Sequence, residues 1–393
     1  MKNTDKKATH ISFKELLLAI RLRTFSFARK NVVMLIALVL AIVTSIIAPP
    51  KSLDVFLGYF DFKTLSCLFT VLAVVCALKN IKFFYIIARK IVSVFKTARI
   101  SVLVLVYITF IGSMLIANDM ALLTFLPLGY FVLSSTGKEK YMAFTFIMQN
   151  ISANLGGMLT PFGNPQNLYL YSRFEINTLE FMGIMLPPFV FSVALITVCC
   201  LVFVKSEPLS LSEKEESLPR VRTIIYLVLF AISILVIFKG IPYFIGLIII
   251  PLVLLFMDRR ALLKVDYPLL LTFVFFFIFA GNMANIQAVN DFFSWLLEKN
   301  TLIFSALSCQ VISNVPSAIL LSQFTENYRD LLLGVNIGGV GTLISSLASL
   351  ITLREYVSHN PRGAIKYILK FSAFNFGFLA LLITFCLLWG LIF

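Results

Sequence analysis

The sequence predicts an all-α polytopic membrane protein. Of the 393 residues, 60% are hydrophobic and 13% are charged, and the mean hydropathy is +0.96. Soluble domains carry about 25% charged residues, so most helices of this chain must face lipid or other helices. Apolar stretches of roughly 17–25 residues, the length of a membrane span, recur along the whole chain. Residues 1–31 are basic and lead into the first stretch without a cleavage site, so we expect no cleavable signal peptide.

Eleven stretches have the composition of membrane segments, and two more resemble helices lying at the membrane surface. The two surface candidates are 79–99 and 282–300, which are more polar and carry charges among aromatic and aliphatic residues. The stretch 301–324 is interrupted by Ser-Asn-Val-Pro, and neither of its arms can cross a core of about 30 Å. The membrane segments are 32–48, 64–78, 100–137 (two arms), 141–171, 180–204, 223–238, 241–257, 267–281, 301–324, 331–353 and 371–393.

The distribution of Lys and Arg predicts how the chain is threaded. The net charge of +14 suits cytoplasmic loops better than nucleic-acid binding, because Lys and Arg accumulate on the cytoplasmic side of membrane proteins. If the N-terminus is cytoplasmic and 301–324 is a re-entrant hairpin, the cytoplasmic segments hold 27 of the 33 Lys and Arg residues. We therefore expect the hairpin and no nucleic-acid partner. The predicted cytoplasmic segments are 1–31, 79–99, 136–141, 205–222, 258–266 and 354–370.

Residue types that serve catalysis or metal binding are scarce. The six cysteines lie in apolar segments without metal-ligand spacing, so we interpret them as small buried hydrophobic residues. The histidines are His10 and His359, and the sequence contains no Walker-type glycine loop and no haem motif. We therefore expect no enzyme and no cofactor, and any transport must be secondary.

The stretch 100–137 carries one charge, Asp119, between two apolar arms. A carboxylate at membrane depth is costly unless it faces protein, water or an ion, so Asp119 marks a candidate pathway. A low-dielectric site also favours the protonated form, which makes proton coupling an option. Two alternatives stay open. Asn118 and Asp119 can form a plain capped turn, and because each arm is long enough to cross, Asp119 can lie at the outer surface.

The two halves of the chain match in the order of their segments. Each half shows two spans, an interfacial helix, paired arms, a glycine-broken span and a final span, and one extra span separates the halves. An odd number of crossings before the second copy predicts inverted repeats. Two local matches agree: Asn-Leu-Gly-Gly at 154–157 with Asn-Ile-Gly-Gly at 336–339, and Asn-Asp-Met-Ala at 118–121 with Asn-Val-Pro-Ser at 314–317. The expected division is a basic N-terminal segment at 1–31, repeats at 32–204 and 241–393, and a loop with a linker span at 205–240.

Each half contains two interruptions of membrane helices. One is the tip of the paired arms, and the other lies within a span, at 160–167 and at 338–349. Broken backbone is tolerated at membrane depth only where it is buried in protein or lines a watery cavity. Free carbonyls at a break suit a cation, and free N–H groups at a helix start suit an anion. The alternatives are an extramembrane loop at 160–167, a capped proline kink at 313–316 and close packing of the glycines at 334–341.

These motifs resemble the ion transporter superfamily, which includes divalent anion/sodium symporters, arsenite permeases, citrate transporters and sodium/proton antiporters. Asn118-Asp119 is similar to the N-D of the arsenite permeases, and Gly-Asn-Pro-Gln-Asn at 163–167 stands where the symporters carry G-T-P-P-N. The run at 313–316 resembles the second hairpin of both groups. The resemblance implies an elevator-type secondary transporter with two re-entrant hairpins, a scaffold and a mobile domain. The first tip departs from the symporters' S-N-T by containing Asp119, and the second break lacks Pro-Pro-Asn.

The two tips and the two breaks together supply the candidate site residues. The resemblance implies cation positions at both tips and breaks, and Asp119 joins them as the one buried acid. For a small anion we expect Asn118, Asn164, Gln166, Asn167, Ser313, Asn314 and Ser317 as ligands. For the coupling ion, Na⁺ or H⁺, we expect Asn118, Asp119, Gly163, Asn164, Ser313, Asn314, Thr342 and Ser345.

The favoured function is secondary active transport of a small anion, a di- or tricarboxylate or an inorganic oxyanion, coupled to Na⁺ or H⁺. One rival is a Na⁺/H⁺ antiporter in which Asp119 binds the two cations in turn. Another rival is arsenite efflux, although Cys309 near the second tip is a lone thiol. A rival of another class is a membrane scaffold without transport. The expected partners are the anion and the lipid bilayer, with homodimerisation implied by the resemblance alone.

Overall fold

The computed structural model describes residues 31–209 and 217–392, and every regular element within them is helical. The predicted cytoplasmic segment 1–31, except Asn31, and part of the loop 205–222 lie outside the described residues. In chain order the α-helices are α1 (Val32–Ile47), α2 (Leu53–Gly58), α3 (Phe62–Asn80), α4 (Phe83–Ser93), α5 (Ala98–Ile116), α6 (Asn118–Ser135), α7 (Met142–Gly156), α8 (Pro165–Arg173), α9 (Thr178–Phe203), α10 (Arg220–Ile237), α11 (Tyr243–Met257), α12 (Arg259–Leu263), α13 (Tyr267–Ala284), α14 (Gln287–Ile312), α15 (Asn314–Leu321), α16 (Tyr328–Ile337), α17 (Leu347–His359) and α18 (Ala364–Ile392).

Many of these helices have the length and composition of membrane spans. Among the described residues, α3, α5, α9, α10, α13 and the segment Pro361–Gly390 are long and apolar enough to cross a bilayer. Helices α1 and α11 are equally apolar but shorter. Large apolar side chains also cover the outside of the bundle, where Ile46 is 76% exposed and Phe256 77% exposed. Such a surface requires lipid, and the prediction of a helical multi-pass membrane protein is confirmed.

The two predicted surface helices have different bounds in the structure. The stretch 79–99 is not one helix, because α3 continues to Asn80 and Lys82 adopts a left-handed φ of 56° that interrupts the chain. Only Phe83–Ser93 forms a separate amphipathic helix there. The stretch 282–300 is shared between the end of α13 and the start of α14. Helix α14 kinks at Asn300, where the predicted surface helix ends and where the Asn300 side chain accepts a hydrogen bond from the Ile303 N–H at 2.9 Å.

Helix α18 begins at Ala364 rather than at the predicted residue 371. Its first turns carry Lys366 and Lys370, both exposed. Charged residues mark the end of an apolar stretch, but a helix continues beyond it when the long side chains extend into water. The hydropathy also did not predict two short helices, Leu53–Gly58 and Arg259–Leu263, each of which begins at a side-chain cap, Ser52 and Asp258 respectively.

Four short interruptions of the helices determine the architecture of the centre. Helices α5 and α6 are separated by one residue and pack against each other, and so do α14 and α15. Helices α7 and α8 are separated by a non-helical segment and a 3-10 turn, and α16 and α17 by residues 338–346. Contacts cross between the halves: α6 packs on α17, α15 on α8, α1 on α13, and α11 on α3.

Glycines allow the interrupted helices to approach the paired arms closely. A β-carbon on Gly156 would lie 2.2 Å from the carbonyl oxygen of Phe110 on α5. In the second half, β-carbons on Gly334 and Gly338 would lie 2.6 Å from the Leu302 carbonyl oxygen and 2.8 Å from Cα of Ala306 on α14. Two of the second-half glycines therefore serve helix packing, one of the alternatives that the sequence left open.

Glu207 fastens the loop after α9 to the base of the first pair of arms. Its carboxylate accepts hydrogen bonds from Lys138 at 2.9 Å, from Lys140, and from the Tyr141 hydroxyl at 3.0 Å. Its backbone carbonyl accepts a further bond from the Ala98 N–H at 2.8 Å. The bonds from Lys138, and after them those from Lys140 and Tyr141, hold the pKa of Glu207 at about 2, below its usual 4.5. The connection α6–α7 and the start of α5 are thus fixed to the same loop.

We predict that Glu207→Gln lowers the melting temperature of the detergent-solubilised protein at pH 7, because two lysines lose their anionic partner. A pKa that is lowered by folding gives stability that is complete above the unfolded-state value of 4.5 and is lost as the pH falls through about 2. The difference between parent and variant should therefore shrink between these values. Solvent screening keeps the effect small, since the Glu207 side chain is 23% exposed.

The matched control is Glu139→Gln, an exposed residue between Lys138 and Lys140 in the turn that Glu207 contacts, and this variant should have the melting temperature of the parent at every pH. Equal melting of the Glu207 variant and the parent at pH 7 would contradict the proposed anchoring role.

Candidate functional site

The first tip is the single residue Ala117 between α5 and α6. Its φ of 66° and ψ of 155° are rarely adopted by residues other than glycine. The side-chain oxygen of the next residue, Asn118, accepts a hydrogen bond from the Asp119 N–H at 3.0 Å. The Asn118 Nδ2 donates to Oδ1 of Asn154 at 3.1 Å and to Oγ of Ser346 at 3.5 Å. Asn118 therefore joins the tip to the end of α7 and to the start of α17.

The second tip repeats this geometry. Ser313 has a φ of 75° and a ψ of 159°, and the Asn314 side-chain oxygen accepts from the Val315 N–H at 2.9 Å. The Asn314 N–H and the Ser313 hydroxyl both donate to the Ser345 carbonyl, at 3.0 and 3.3 Å. The two tips share a strained residue and an asparagine, and they differ in the residue that follows, which is Asp119 in one and valine in the other.

The first break depends on two glycines in contact. A β-carbon on Gly163 would lie 2.3 Å from the Gly157 carbonyl oxygen, and one on Gly157 would lie 2.4 Å from Oδ1 of Asn164. Asn164 precedes α8, whose first position is a proline, a residue that favours a helix start. The predicted break at 160–167 is therefore too long at its end, because Gln166 and Asn167 belong to the first turn of α8.

Asn336 from the second half connects the polar side chains of the first break. Its Oδ1 accepts from Nδ2 of Asn164 at 3.3 Å and from Nε2 of Gln166 at 3.5 Å. Its Nδ2 donates to Oδ1 of Asn167 at 2.6 Å and to the Leu332 carbonyl at 2.8 Å. All four amide side chains are at most 1% exposed. One buried asparagine therefore holds three amides of the other half in place.

Other amides satisfy the backbone carbonyls that the breaks leave without helical partners. Asn167 Nδ2 lies within 3.3 Å of the carbonyl oxygens of Gly157, Met158 and Thr160 in the first break. In the second break, Gln310 Nε2 donates to the carbonyls of residues 338 and 340, and its Oε1 accepts from the backbone N–H at position 342. The broken backbone is thus satisfied inside the protein, as membrane burial requires.

A small central cavity lies where both tips meet the starts of α8 and α17. Its volume is about 20 Å³, enough for about one water molecule. Asp119 lines it and also lines a second cavity of about 190 Å³, whose wall includes Asp266 and Arg354. We call this second space the inner cavity, since Asp266 and Arg354 belong to segments predicted to be cytoplasmic. Asp119 therefore lies at the junction of two internal cavities. The central cavity is lined by Val33, Asn118, Asp119, Pro165, Gln166, Leu269, Thr272, Ser313, Asn314, Val315, Pro316, Ser346 and Leu347.

Several oxygens at this centre are suited to a cation. Asp119 Oδ1 and Gln166 Oε1, from residues that line the central cavity, are buried and have no hydrogen-bond partner in the structure. Asn164 Oδ1 also has no partner, but it lies in the first break and faces Gly157. A buried acceptor without a donor is costly, and a bound cation removes that cost. No cluster of three or more His, Cys, Asp or Glu side chains occurs among the described residues. A cation at this centre would therefore be held mainly by neutral oxygens, with Asp119 as the single acid.

Five of the eleven predicted site residues line the central cavity, and the roles of all eleven stay predictions. The five are Asn118, Asp119, Gln166, Ser313 and Asn314. At the second break the Ser345 hydroxyl donates to the Gly339 and Thr342 carbonyls at 2.9 and 2.8 Å, and Thr342 Oγ1 donates to the Gln310 carbonyl at 3.0 Å. The Ser317 hydroxyl is hydrogen-bonded at 2.9 Å to Ser308 within its own pair of arms.

Four residues of the site are absent from the predicted set. They are Asn154, Asn336, Gln310 and Ser346. The two asparagines occupy the first position of the repeated Asn-aliphatic-Gly-Gly motif, so the internal match itself was the available signal. Ser346 caps α17 by accepting a hydrogen bond from the Ala348 N–H at 3.2 Å. No sequence motif pointed to Gln310, because it lies before the second tip in an arm that is otherwise a regular helical sequence.

We predict that Asn336→Leu lowers the free energy of unfolding by about 1–3 kcal/mol, since three buried amides lose a partner. The measurement is the melting temperature in detergent. The control is Asn285→Leu, at an exposed residue whose side chain donates only to the Tyr59 hydroxyl. Equal shifts for the two variants would contradict a central role for Asn336.

Comparison with known proteins places the chain in a family. The family model described as citrate transporter matches residues 16–327, which include both tips and the first break. The uncharacterized transporter MJ0456 of Methanocaldococcus jannaschii is 35% identical over 296 residues, 75% of this chain and 81% of that protein. The inner membrane protein YbiR of Escherichia coli (strain K12) is 30% identical over 282 residues, 69% of this chain and 74% of that protein. The chain is therefore a multi-pass membrane transporter that belongs to the citrate transporter family of the ion transporter superfamily.

Proposed function

We propose that the protein is a secondary active transporter of a small anion, a di- or tricarboxylate or an inorganic oxyanion, coupled to Na⁺ or H⁺. The observation that carries this proposal is the meeting of two tips of equal backbone geometry with two helix starts at one cavity. The description of the matching family, citrate transporter, supports an anionic substrate.

The electrostatics of the centre favour an anion accompanied by a cation. The starts of α6, α8, α15 and α17 all contribute residues to the lining of the central cavity. Each helix start is equivalent to roughly +0.5 charge, so the four together supply roughly +2. Ionised Asp119 leaves roughly +1, which suits a monovalent anion. A di- or tricarboxylate needs additional positive charge, and this requirement is a physical reason for cation coupling.

The coupling ion is either Na⁺ or H⁺, and both would bind at Asp119. The unpartnered oxygens of Asp119, Asn164 and Gln166 support Na⁺, which is bound by carbonyl-type oxygens at helix breaks. A proton on Asp119 would equally remove its negative charge. The predicted second cation position at Ser313, Asn314, Thr342 and Ser345 is part of this proposal, although the hydroxyls of Thr342 and Ser345 donate to backbone carbonyls in this conformation.

The transport cycle requires a second conformation. The central cavity of about 20 Å³ admits a water molecule or a bare cation, but an organic anion is larger than this space. Binding therefore requires the tips to separate from the starts of α8 and α17. The crosswise packing of α6 on α17 and of α15 on α8 supports two inverted repeats with re-entrant hairpins. In the proposed elevator motion these four helices move together against α1, α3, α11 and α13, in a homodimer with cytoplasmic N-termini.

A second candidate function is Na⁺/H⁺ antiport without an organic substrate. The observation in its favour is Asp119, a half-buried residue whose buried Oδ1 has no hydrogen-bond partner and which lines two cavities. An antiporter would dissipate an imposed pH gradient when Na⁺ is added, in the absence of any organic anion.

We predict that purified protein in proteoliposomes accumulates citrate or another small anion when a Na⁺ or H⁺ gradient is imposed, and that Asp119→Asn lowers this uptake at least about tenfold. The variant removes the charge while keeping the shape, so protein folding should be unchanged. The control is Asp291→Asn, at an exposed position on α14 that accepts a hydrogen bond from Gln287.

Full uptake by the Asp119 variant would exclude Asp119 as the site of coupling. Dissipation of a pH gradient by Na⁺ alone, with no anion uptake, would favour the antiporter over the proposed symporter.

A further inference from the structure

A third cavity lies at the opposite end of α13 from the inner cavity. The N-terminal part of α13, including Leu269 and Thr272, lines the inner and central cavities. The C-terminal part of the same helix, including Phe277 and Gly281, lines a cavity of about 440 Å³. We call this third space the outer cavity. The inner cavity shares six lining residues with the central cavity, whereas the outer cavity shares none.

One face of α8 connects the central cavity with the outer cavity. Gln166 lines the central cavity, while Tyr169 and Arg173 line the outer one. Residues spaced three and four apart lie on the same side of a helix. The seven positions from Gln166 to Arg173 correspond to about 10 Å along the helix axis. Gln166 and Tyr169 lie one helical turn apart on this face, so the layer of side chains between the two cavities includes Tyr169.

Tyr169 is the centre of that layer. Its side chain is 2% exposed, and its ring lies 5.5 Å from the ring of Phe277 on α13. Its hydroxyl is hydrogen-bonded at 2.8 Å to Ser322, just after α15, and accepts from Gln323 at 3.4 Å. Tyr169 thus bridges α8, α13 and the outer end of the second pair of arms. In the proposed cycle α8 and α15 move together against α13, so the contact of Tyr169 with Phe277 spans the two groups, whereas the contact with Ser322 lies within the moving one.

The outer cavity has the polar lining expected of a water-filled entrance. Its charged residues are Asp61, Lys63, Arg173 and Glu175, whose formal charges cancel. A lining of zero net charge does not select anions over cations. Selection then takes place at the central cavity, and the outer cavity gives access to it.

We propose that Tyr169 closes the outer end of the transport path, and that the outer cavity is the entrance that is connected to the centre when the contact between Tyr169 and Phe277 breaks. The hydrogen bond with Ser322 holds the Tyr169 ring in the closing position. The inference rests on the proposed transport function, since a path open at alternate ends is needed only by a transporter. It adds a named closure residue and an entrance to that function.

The test uses a membrane-impermeant thiol reagent applied to either side of membrane vesicles. Two reporter cysteines are added, each in a separate variant that keeps the native cysteines. They are Thr272→Cys in the central and inner cavities, and Ser172→Cys in the outer cavity. The parent with its six native cysteines gives the background, five of them buried and Cys199 partly so. We expect the two reporters to be labelled from opposite sides. Labelling of both from the same side would overturn the proposed path.

The decisive variant is Tyr169→Ala in the Thr272→Cys background. Loss of the ring should increase labelling from the side that labels Ser172→Cys by about 5-fold or more, the effect of weakening a closed state modestly. Tyr169→Phe keeps the ring and removes only the hydroxyl contacts, so we expect an increase of about 2- to 10-fold. The second variant keeps the test decisive if the first does not fold.

The matched control is Tyr171→Ala, on the same helix and equally buried, but hydrogen-bonded to Thr178 and packed on Phe181 instead. It should leave the labelling unchanged. Equal increases for the Tyr169 and Tyr171 variants, or no increase for either Tyr169 variant, would overturn the closure role. Labelling needs no substrate, so a failure of anion uptake with the expected labelling would refute the proposed substrate and leave the closure role standing.

Discussion

The central constraint on this structure is the need to satisfy broken backbone within an apolar bundle. Each interrupted helix leaves carbonyl and N–H groups without helical partners, and lipid supplies none. Asn167 and Gln310 satisfy the carbonyls of the two breaks, while Asn154 and Asn336 bind the amide side chains that face them. The polar centre is therefore a structural requirement of the breaks as well as a candidate binding site. This double role explains why so many of its side chains are amides, which donate and accept at once.

The two tips share one backbone conformation but differ in the charge of the residue that follows the asparagine. Ala117 and Ser313 adopt nearly the same strained conformation, and each precedes an asparagine that binds the next N–H. The following residue is Asp119 in the first tip and Val315 in the second. A carboxylate in one tip alone gives the centre a single ionisable group. In the proposed function that group makes coupling to a cation necessary for a multiply charged anion, because the ionised carboxylate reduces the charge of the four helix starts from roughly +2 to roughly +1.

The sequence predicted the helical membrane fold and the two interrupted pairs, and five of the 13 residues that line the central cavity are among its candidate site residues. Hydropathy suffices for these features because lipid exposure and helix breaks follow from local composition. The hydropathy did not predict that α4 is limited to Phe83–Ser93. The amino-acid composition around Lys82 does not indicate the left-handed turn that interrupts the chain there. The hydropathy also missed Gln310, whose partners come from a segment about 30 residues later. Ser317 was predicted to bind the anion from its place beside the tip, yet its hydroxyl is bonded to Ser308 within the hairpin. Side-chain direction of this kind depends on tertiary packing.

Cooperative binding of anion and cation at one centre is the claim on which the proposed function depends. It is tested most directly by the melting temperature of the purified protein with citrate alone, Na⁺ alone and both together, at neutral and acidic pH. A ligand that binds only the folded protein stabilises it by an amount that grows with the logarithm of its concentration relative to Kd. Two ligands that share a site are coupled reciprocally. We predict that citrate with Na⁺, or citrate at the pH where Asp119 is protonated, stabilises the protein by more than the sum of the separate effects. Strictly additive shifts, or stabilisation by the cation alone at every pH, would contradict a shared anion and cation site.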